Sequence, residues 1–220
     1  MDLVLENLGC RRGGRPVFRG LSFRLEEGQA AQIRGPNGVG KSSLLRVLAG
    51  LVPPADGEAR LGDLALSRAR AAFQESVAYA GHLDAIKPAL TLQQNLAAWA
   101  SLFGAEAGRV DHALQMFSLE PLADRPAAQC SAGQKRRLGL ARLLVMDRLL
   151  WLLDEPTVSL DAASTEVVAN LIREHISTGG LALVATHIDL GLGDGPVLEM
   201  RPLEPSAPVE EDAFLAGEWA

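Results

Sequence analysis

The chain has 220 residues, with 21 Lys and Arg against 27 Asp and Glu and a net charge of −6. That length suits one large domain with room for an inserted subdomain and a sizeable core. The acidic balance argues against a broad nucleic-acid-binding face. Cys10 and Cys130 lie far apart without CxxC or Cys/His metal spacing, the pattern of reduced thiols in a cytoplasmic protein. Residues 1–6 carry neither a basic n-region nor a long apolar h-region, so no signal peptide is expected. The strongest apolar runs, 143–146 and 149–153, fall well short of the roughly 20 residues that span a bilayer. A membrane role would therefore require a partner chain.

In chain order, residues 1–30 read as short strands. Leu3–Leu5 is the first, Gly13 to Pro16 a turn, and Val17 to Leu25 a second stretch in which Leu21, Phe23 and Leu25 alternate with Ser22 and Arg24. Residues 30–34 suit a strand and Leu44, Leu45, Val47 and Leu48 an apolar helix side, with Gly50 as the stop. Pro53 to Gly57 reads as a turn before a strand at 58–61, and 77–81 as another strand. Residues 88–129 are rich in Ala, Leu and Gln and suit helices near 92–103 and 109–118. The apolar runs 149–153 and 181–185 read as strands buried on both faces of a parallel sheet, with a helix from about 162 to 177 between them. An acidic, proline-bearing stretch at 204–220 is expected to be a flexible tail.

Between strand 30–34 and its helix lies Gly35-Pro36-Asn37-Gly38-Val39-Gly40-Lys41-Ser42-Ser43, which fits G-x-x-x-x-G-K-[ST]. Glycines let successive N–H groups point inward as a nest for anionic oxygens, at a helix N-terminus whose dipole adds attraction. Lys41 supplies charge for the β- and γ-phosphates, and the Ser42 hydroxyl is placed for Mg²⁺. The string predicts a nucleoside triphosphate site. Downstream, strand 149–153 delivers Asp154 and Glu155 at its C-terminal end, where ligands of open parallel sheets bind. Asp154 suits Mg²⁺ through water, and Glu155 suits a base or orienter for the attacking water. Ser131 and Gln134 form a capping-box pattern before a basic, amphipathic helix. Capping alone accounts for both, but not for Gly133, where glycine costs about 1 kcal/mol in a helix; close approach of a phosphate would account for it.

Ser131-Ala132-Gly133-Gln134, some 90 residues after Lys41 and shortly before Asp154-Glu155, resembles the signature motif of ABC ATPases, usually Leu-Ser-Gly-Gly-Gln. Cys130 and Ala132 are the departures. Ser159-Leu160-Asp161 is similar to the loop that follows the family's carboxylates, and Asp161 also suits an N-cap. His187, after strand 181–185, resembles the switch histidine that contacts the γ-phosphate. The resemblance implies an α/β P-loop NTPase with a RecA-like parallel-sheet core, an N-terminal antiparallel β subdomain and a helical subdomain inserted at about 86–147. The ATPase domain would be 1–203. It also implies ATP and Mg²⁺ as ligands and a head-to-tail ATPase dimer. In that dimer Ser131, Gly133 and Gln134 of one chain close over nucleotide held by Gly38, Lys41 and Ser42 of the other, and Glu155, His187 and Lys41 carry the reaction.

Two positions depart from the family. His82 stands where a glutamine usually links metal and water to the membrane subunits; it is either a pH-responsive replacement or a surface substitution. Arg12 stands where an aromatic residue stacks on adenine, and a guanidinium can stack there instead. Gly81-His82 with Ile86-Lys87, and Cys10-x-Arg12 ahead of Val17-Phe18, resemble the ATP-binding subunit of bacterial c-type cytochrome maturation, a haem-export family. That resemblance implies a multi-helix integral membrane subunit and haem-handling membrane proteins as partners, at the cytoplasmic face of the inner membrane. Hydrolysis would drive haem export or release of a haem-loaded periplasmic chaperone. The alternative is the ATPase of an exporter for another substrate. A nucleic-acid-handling ABC protein would be expected to bring coiled-coil arms or basic extensions; neither is in the sequence.

Overall fold

A computed structural model describes residues 1–106 and 108–203; the predicted tail at 204–220 lies outside the described residues. In chain order the elements are β1 (Leu3–Arg12), β2 (Arg15–Leu25), β3 (Ala30–Arg34), α1 (Lys41–Leu48), β4 (Asp56–Leu61), β5 (Leu64–Ala65), α2 (Arg70–Glu75) and β6 (Val77–Ala80). After them come α3 (Leu92–Phe103), α4 (Arg109–Met116), α5 (Ala132–Met146), β7 (Leu150–Asp154), α6 (Ala162–Ser177), β8 (Leu181–Ala185) and β9 (Val197–Glu199).

The strands form two sheets. One is antiparallel, in the order β2-β1-β4-β5, and the other is parallel, in the order β6-β7-β8-β3-β9. The parallel sheet is covered on both faces, as its apolar strands require. Leu150 and Leu152 of β7 join a core with α1 and the antiparallel sheet. Trp151 and Leu153 point the other way, into a core with α3 to α6. Register then sets the site: Asp154 of β7 pairs with Ala185 of β8, which pairs with Ile33 of β3. The C-terminal ends of three strands thus stand level, and the loops leaving them meet.

The first strand runs far beyond Leu5, to Arg12, because register shifts against β2 and β4 carry it past Asn7, whose φ of 49° breaks the alternation. The predicted α4 stops at Met116, short of 118, where Ser118 takes a φ of 51°. A larger difference concerns α5. It is buried on nearly all sides, with Leu138, Leu140, Leu143 and Val145 joined by Arg136 and Arg142, and it has no amphipathic stripe. Arg136 and Arg142 are structural cations enclosed by protein.

Candidate functional site: a triphosphate cleft at three strand ends

The loop after β3 turns through Gly35, Gly38 and Gly40, with φ of 144°, 80° and 111°, a region that disfavours side chains. A Cβ on Gly35 would stand 2.4 Å from the Met200 carbonyl oxygen, and one on Gly40 would stand 2.7 Å from Val17 Cγ1. Around Gly38 nothing among the described residues lies within 4 Å of that position, so the loop is closed at its ends and open at its middle. No side chain among the described residues caps α1, which leaves its first-turn N–H groups for an anion. Val39 and Ser43 are buried beneath the loop. Lys41, 9% exposed, donates from Nζ to the carbonyls of Gly35 at 2.7 Å and Pro36 at 3.3 Å, which holds the ammonium inside the turn.

Ser42 Oγ donates to Asp154 Oδ1 at 3.0 Å. A hydroxyl and a carboxylate side by side are hard oxygen donors of the kind Mg²⁺ uses together with phosphate oxygens and water. Glu155 follows with its N–H bonded to the Ala185 carbonyl at 2.8 Å and a φ of 48°. Its Oε1 lies 3.3 Å from His187 Nε2, which also meets Asn37 Oδ1 at 3.1 Å. A carboxylate only accepts, so Nε2 carries the proton. Arg12, Asn37, Gly38, Lys41, Ser42, Asp154 and Glu155 line one cleft of about 410 Å³. Tight backbone, fixed cation, paired oxygens and an adjacent carboxylate together suit cleavage of a bound triphosphate.

Other predicted site residues stand elsewhere. Ser131 accepts from the Gln134 N–H at 3.2 Å, and Gln134 accepts from the Ser131 N–H at 2.9 Å, a complete capping box. Gly133 has a cause inside this chain: an added Cβ would stand 2.9 Å from the Ser159 carbonyl oxygen. That backbone contact is a reason for glycine within the chain itself, beside the close approach of a phosphate expected from the sequence. His82 is exposed and lines a second cavity, of about 350 Å³, with Asp84, Ala132, Lys135 and Ser159. Asp154 and Glu155 form the wall shared by the two cavities.

Arg136, which the basic cluster hid, is 6% exposed and reaches both the 81–84 segment and the carbonyls of residues 154–156. Arg142 donates to the Tyr79 carbonyl and stands 5.3 Å over the Trp99 ring; burial pulls its pKa down to about 10, against the opposing charge of Asp84.

Fold and site together define an ABC-type ATPase. Residues 18–158 match the family described as ABC transporter, and the chain belongs to it. Within that family it is 50% identical over 208 residues to the cytochrome c biogenesis ATP-binding export protein CcmA of Cereibacter sphaeroides, covering 94% of this chain and 93% of that one. The CcmA of Roseobacter denitrificans is 48% identical over 219 residues, covering 98% and 100% of the two chains. The dimeric post-hydrolysis structure of the ATP-binding cassette MJ0796, bound to ADP and Pi, shares the fold at a TM-score of 0.79 and 23% identity, over 92% of this chain and 97% of that one. Among the described residues, no helix is long and apolar enough to cross a membrane.

Proposed function

We propose that this chain is the ATP-hydrolysing subunit of a membrane ABC complex in c-type cytochrome biogenesis, coupling hydrolysis to haem export or to release of a haem-loaded periplasmic chaperone. One observation carries the reading: Lys41, Ser42, Asp154 and Glu155, delivered from the ends of β3 and β7, line a single cleft, and His187 after β8 contacts two of its lining residues, Glu155 and Asn37. The names of its relatives supply the process.

The residues divide the work by position. The N–H groups around Gly38 and at the start of α1 take phosphate oxygens, and Lys41 exchanges the Gly35 and Pro36 carbonyls for the β- and γ-phosphates. Arg12, at the cleft rim, is offered to the base. Ser42 and Asp154 would hold Mg²⁺, Asp154 through water, and the ion supplies neutralisation of phosphate charge. Glu155 accepts a proton from the attacking water, and ADP and phosphate leave as products. The Nε2–H of His187, already paired with Glu155, orients that carboxylate and faces the γ-phosphate. Its contact with Asn37 fixes the ring from the loop side.

Ser131, Gly133 and Gln134 lie outside this cleft and are assigned to a partner chain's nucleotide in a head-to-tail dimer, an arrangement supported by the dimeric fold neighbour. For the membrane subunit we assign the face of residues 86–147. There Lys87, Ala98, Trp99 and Leu102, with Ala85 just ahead of that range, line a largely apolar groove of about 340 Å³; Leu102 is 71% exposed, and Leu83, before the range, is 79% exposed. That contact would hold the chain at the cytoplasmic face of the inner membrane.

Replacing the chromosomal copy with Lys41→Ala tests the reading. Haem-stained c-type cytochromes should disappear while b-type haem proteins persist. Normal holocytochrome c in those cells would overturn it. Glu155→Gln should retain ATP binding and lose turnover by about 100-fold or more.

A further inference from the structure

We infer that Arg136 is a positioning residue for ATP hydrolysis, holding the backbone of Glu155 in place from helix α5 and tying it to the segment that carries His82. This rests on the assignment of Glu155 as the base.

A guanidinium has five N–H donors, and here each has an acceptor. Nε donates to the Pro156 carbonyl at 3.2 Å. One terminal nitrogen, Nη1, donates to the Gly81 carbonyl and to Asp84 Oδ1, each at 2.9 Å. The other, Nη2, donates to the carbonyls of Asp154 at 3.1 Å and Glu155 at 2.7 Å. Four of the five acceptors are main chain, so the fork fixes backbone directly. Asp84 supplies the counter-charge that a buried cation requires.

Glu155 needs such support. Its φ of 48° places a side-chain-bearing residue in the left-handed region, which the isolated chain disfavours. Three hydrogen bonds to its main chain hold it there: its N–H donates to the Ala185 carbonyl of β8, its carbonyl accepts from Arg136 Nη2, and the same carbonyl accepts from the Val158 N–H of its own turn at 3.3 Å. The first comes from the same sheet. The second comes from the helix that begins at the signature residues Ser131 to Gln134, five positions upstream of Arg136 at the start and two at the end. The opposite edge of the same planar group grips Gly81 and Asp84, which flank His82. One rigid side chain therefore sets the spacing between α5, the base and the 81–84 segment. A lysine cannot reproduce this, since its three donors radiate from one point and do not form a flat fork.

The test uses the full chain with its membrane partners and compares Arg136→Lys with wild type. The expected result is kcat lowered about 10- to 100-fold with KM for ATP within about twofold, because the phosphate-binding loop is untouched. Combined with Glu155→Gln, Arg136→Lys should lower the residual rate by no more than about twofold, because it acts through the side chain already removed. If Arg136→Lys does not fold, Asp84→Asn keeps the oxygen acceptor, removes the counter-charge and should lower kcat several-fold at constant KM. Unchanged kcat in the folded variant, a parallel loss of ATP binding, or full additivity with Glu155→Gln would each overturn the inference. A fully active Glu155→Gln enzyme would sink the functional assignment itself. An inactive Glu155→Gln alongside an unimpaired Arg136→Lys would sink only the role given to Arg136.

Discussion

A Cβ on Gly133 would stand 2.9 Å from the carbonyl oxygen of Ser159, so the turn that opens α5 and the loop after Glu155 lie backbone against backbone. Gly133→Ala should therefore destabilise the free chain even without nucleotide, by about 1 kcal/mol or more, since a main-chain oxygen yields little to overpacking. Urea unfolding of nucleotide-free protein checks this. An unchanged midpoint would return Gly133 to a role exercised only on a partner's phosphate.

Ser42 and Asp154 share a hydrogen bond at the cleft, and the hydroxyl is the assigned Mg²⁺ donor. Ser42→Ala should weaken ATP binding about tenfold with Mg²⁺, the loss of one charge-assisted contact worth about 1.4 kcal/mol. Binding in EDTA should be nearly unaffected. Equal losses under both conditions would remove the serine from the metal.

His175 stacks on Trp151 at 4.0 Å between ring centroids and bonds through Nε2 to the Leu149 carbonyl. Burial lowers its pKa from 6.5, against the hydrogen bonds to Leu149 and Leu181 and the charge of Asp147. The sign follows. Below pH about 6.5 the unfolded chain takes up a proton that the folded chain refuses, so stability falls with pH in that window and is flat above it. His175→Phe keeps the stacked ring and removes the titration. Whatever it loses at pH 8 from the missing hydrogen bond, its stability gap to wild type should narrow at pH 5. A gap constant from pH 8 to 5 would contradict the burial argument.

Leu102 is 71% exposed on the groove assigned to the membrane subunit. Leu102→Asp should leave the stability of the chain within about 0.5 kcal/mol, as exposed substitutions do. Fractionation of cells should find the variant shifted from the membrane pellet to the soluble fraction. Retention in the pellet would place the contact elsewhere.

What the sequence displayed well was whatever local rules control. Strands 30–34 and 181–185 and helix 162–177 stand where apolar patterning puts them, and Asp161 accepts from the Ser164 N–H at 2.7 Å as an N-cap should. The glycine-lysine-serine string is a local geometry, and it was readable for that reason. Elements with little core of their own were not: α2 buries only Phe73, and β9 only Leu198. Long-range pairing decided the rest. Arg136 sits among Lys135 and Arg137 with the same chemistry in sequence, and only the packing of α5 separates the enclosed cation from its neighbours. Nothing local separates the two readings of His82, and the fold sets it in a cavity that shares Asp154 and Glu155 with the triphosphate cleft.

Because α5 is enclosed almost all the way round, it has no freedom to turn about its own axis. Each residue of an α-helix advances its side chains by about 100°. A single inserted residue ahead of Arg136 would swing that arginine away from its five acceptors and Arg142 away from Tyr79 in one stroke. Natural variation in length is therefore expected in the connections on either side of this rod and not within it, and whatever displacement the rod undergoes in the working complex must be a tilt or a slide of the whole.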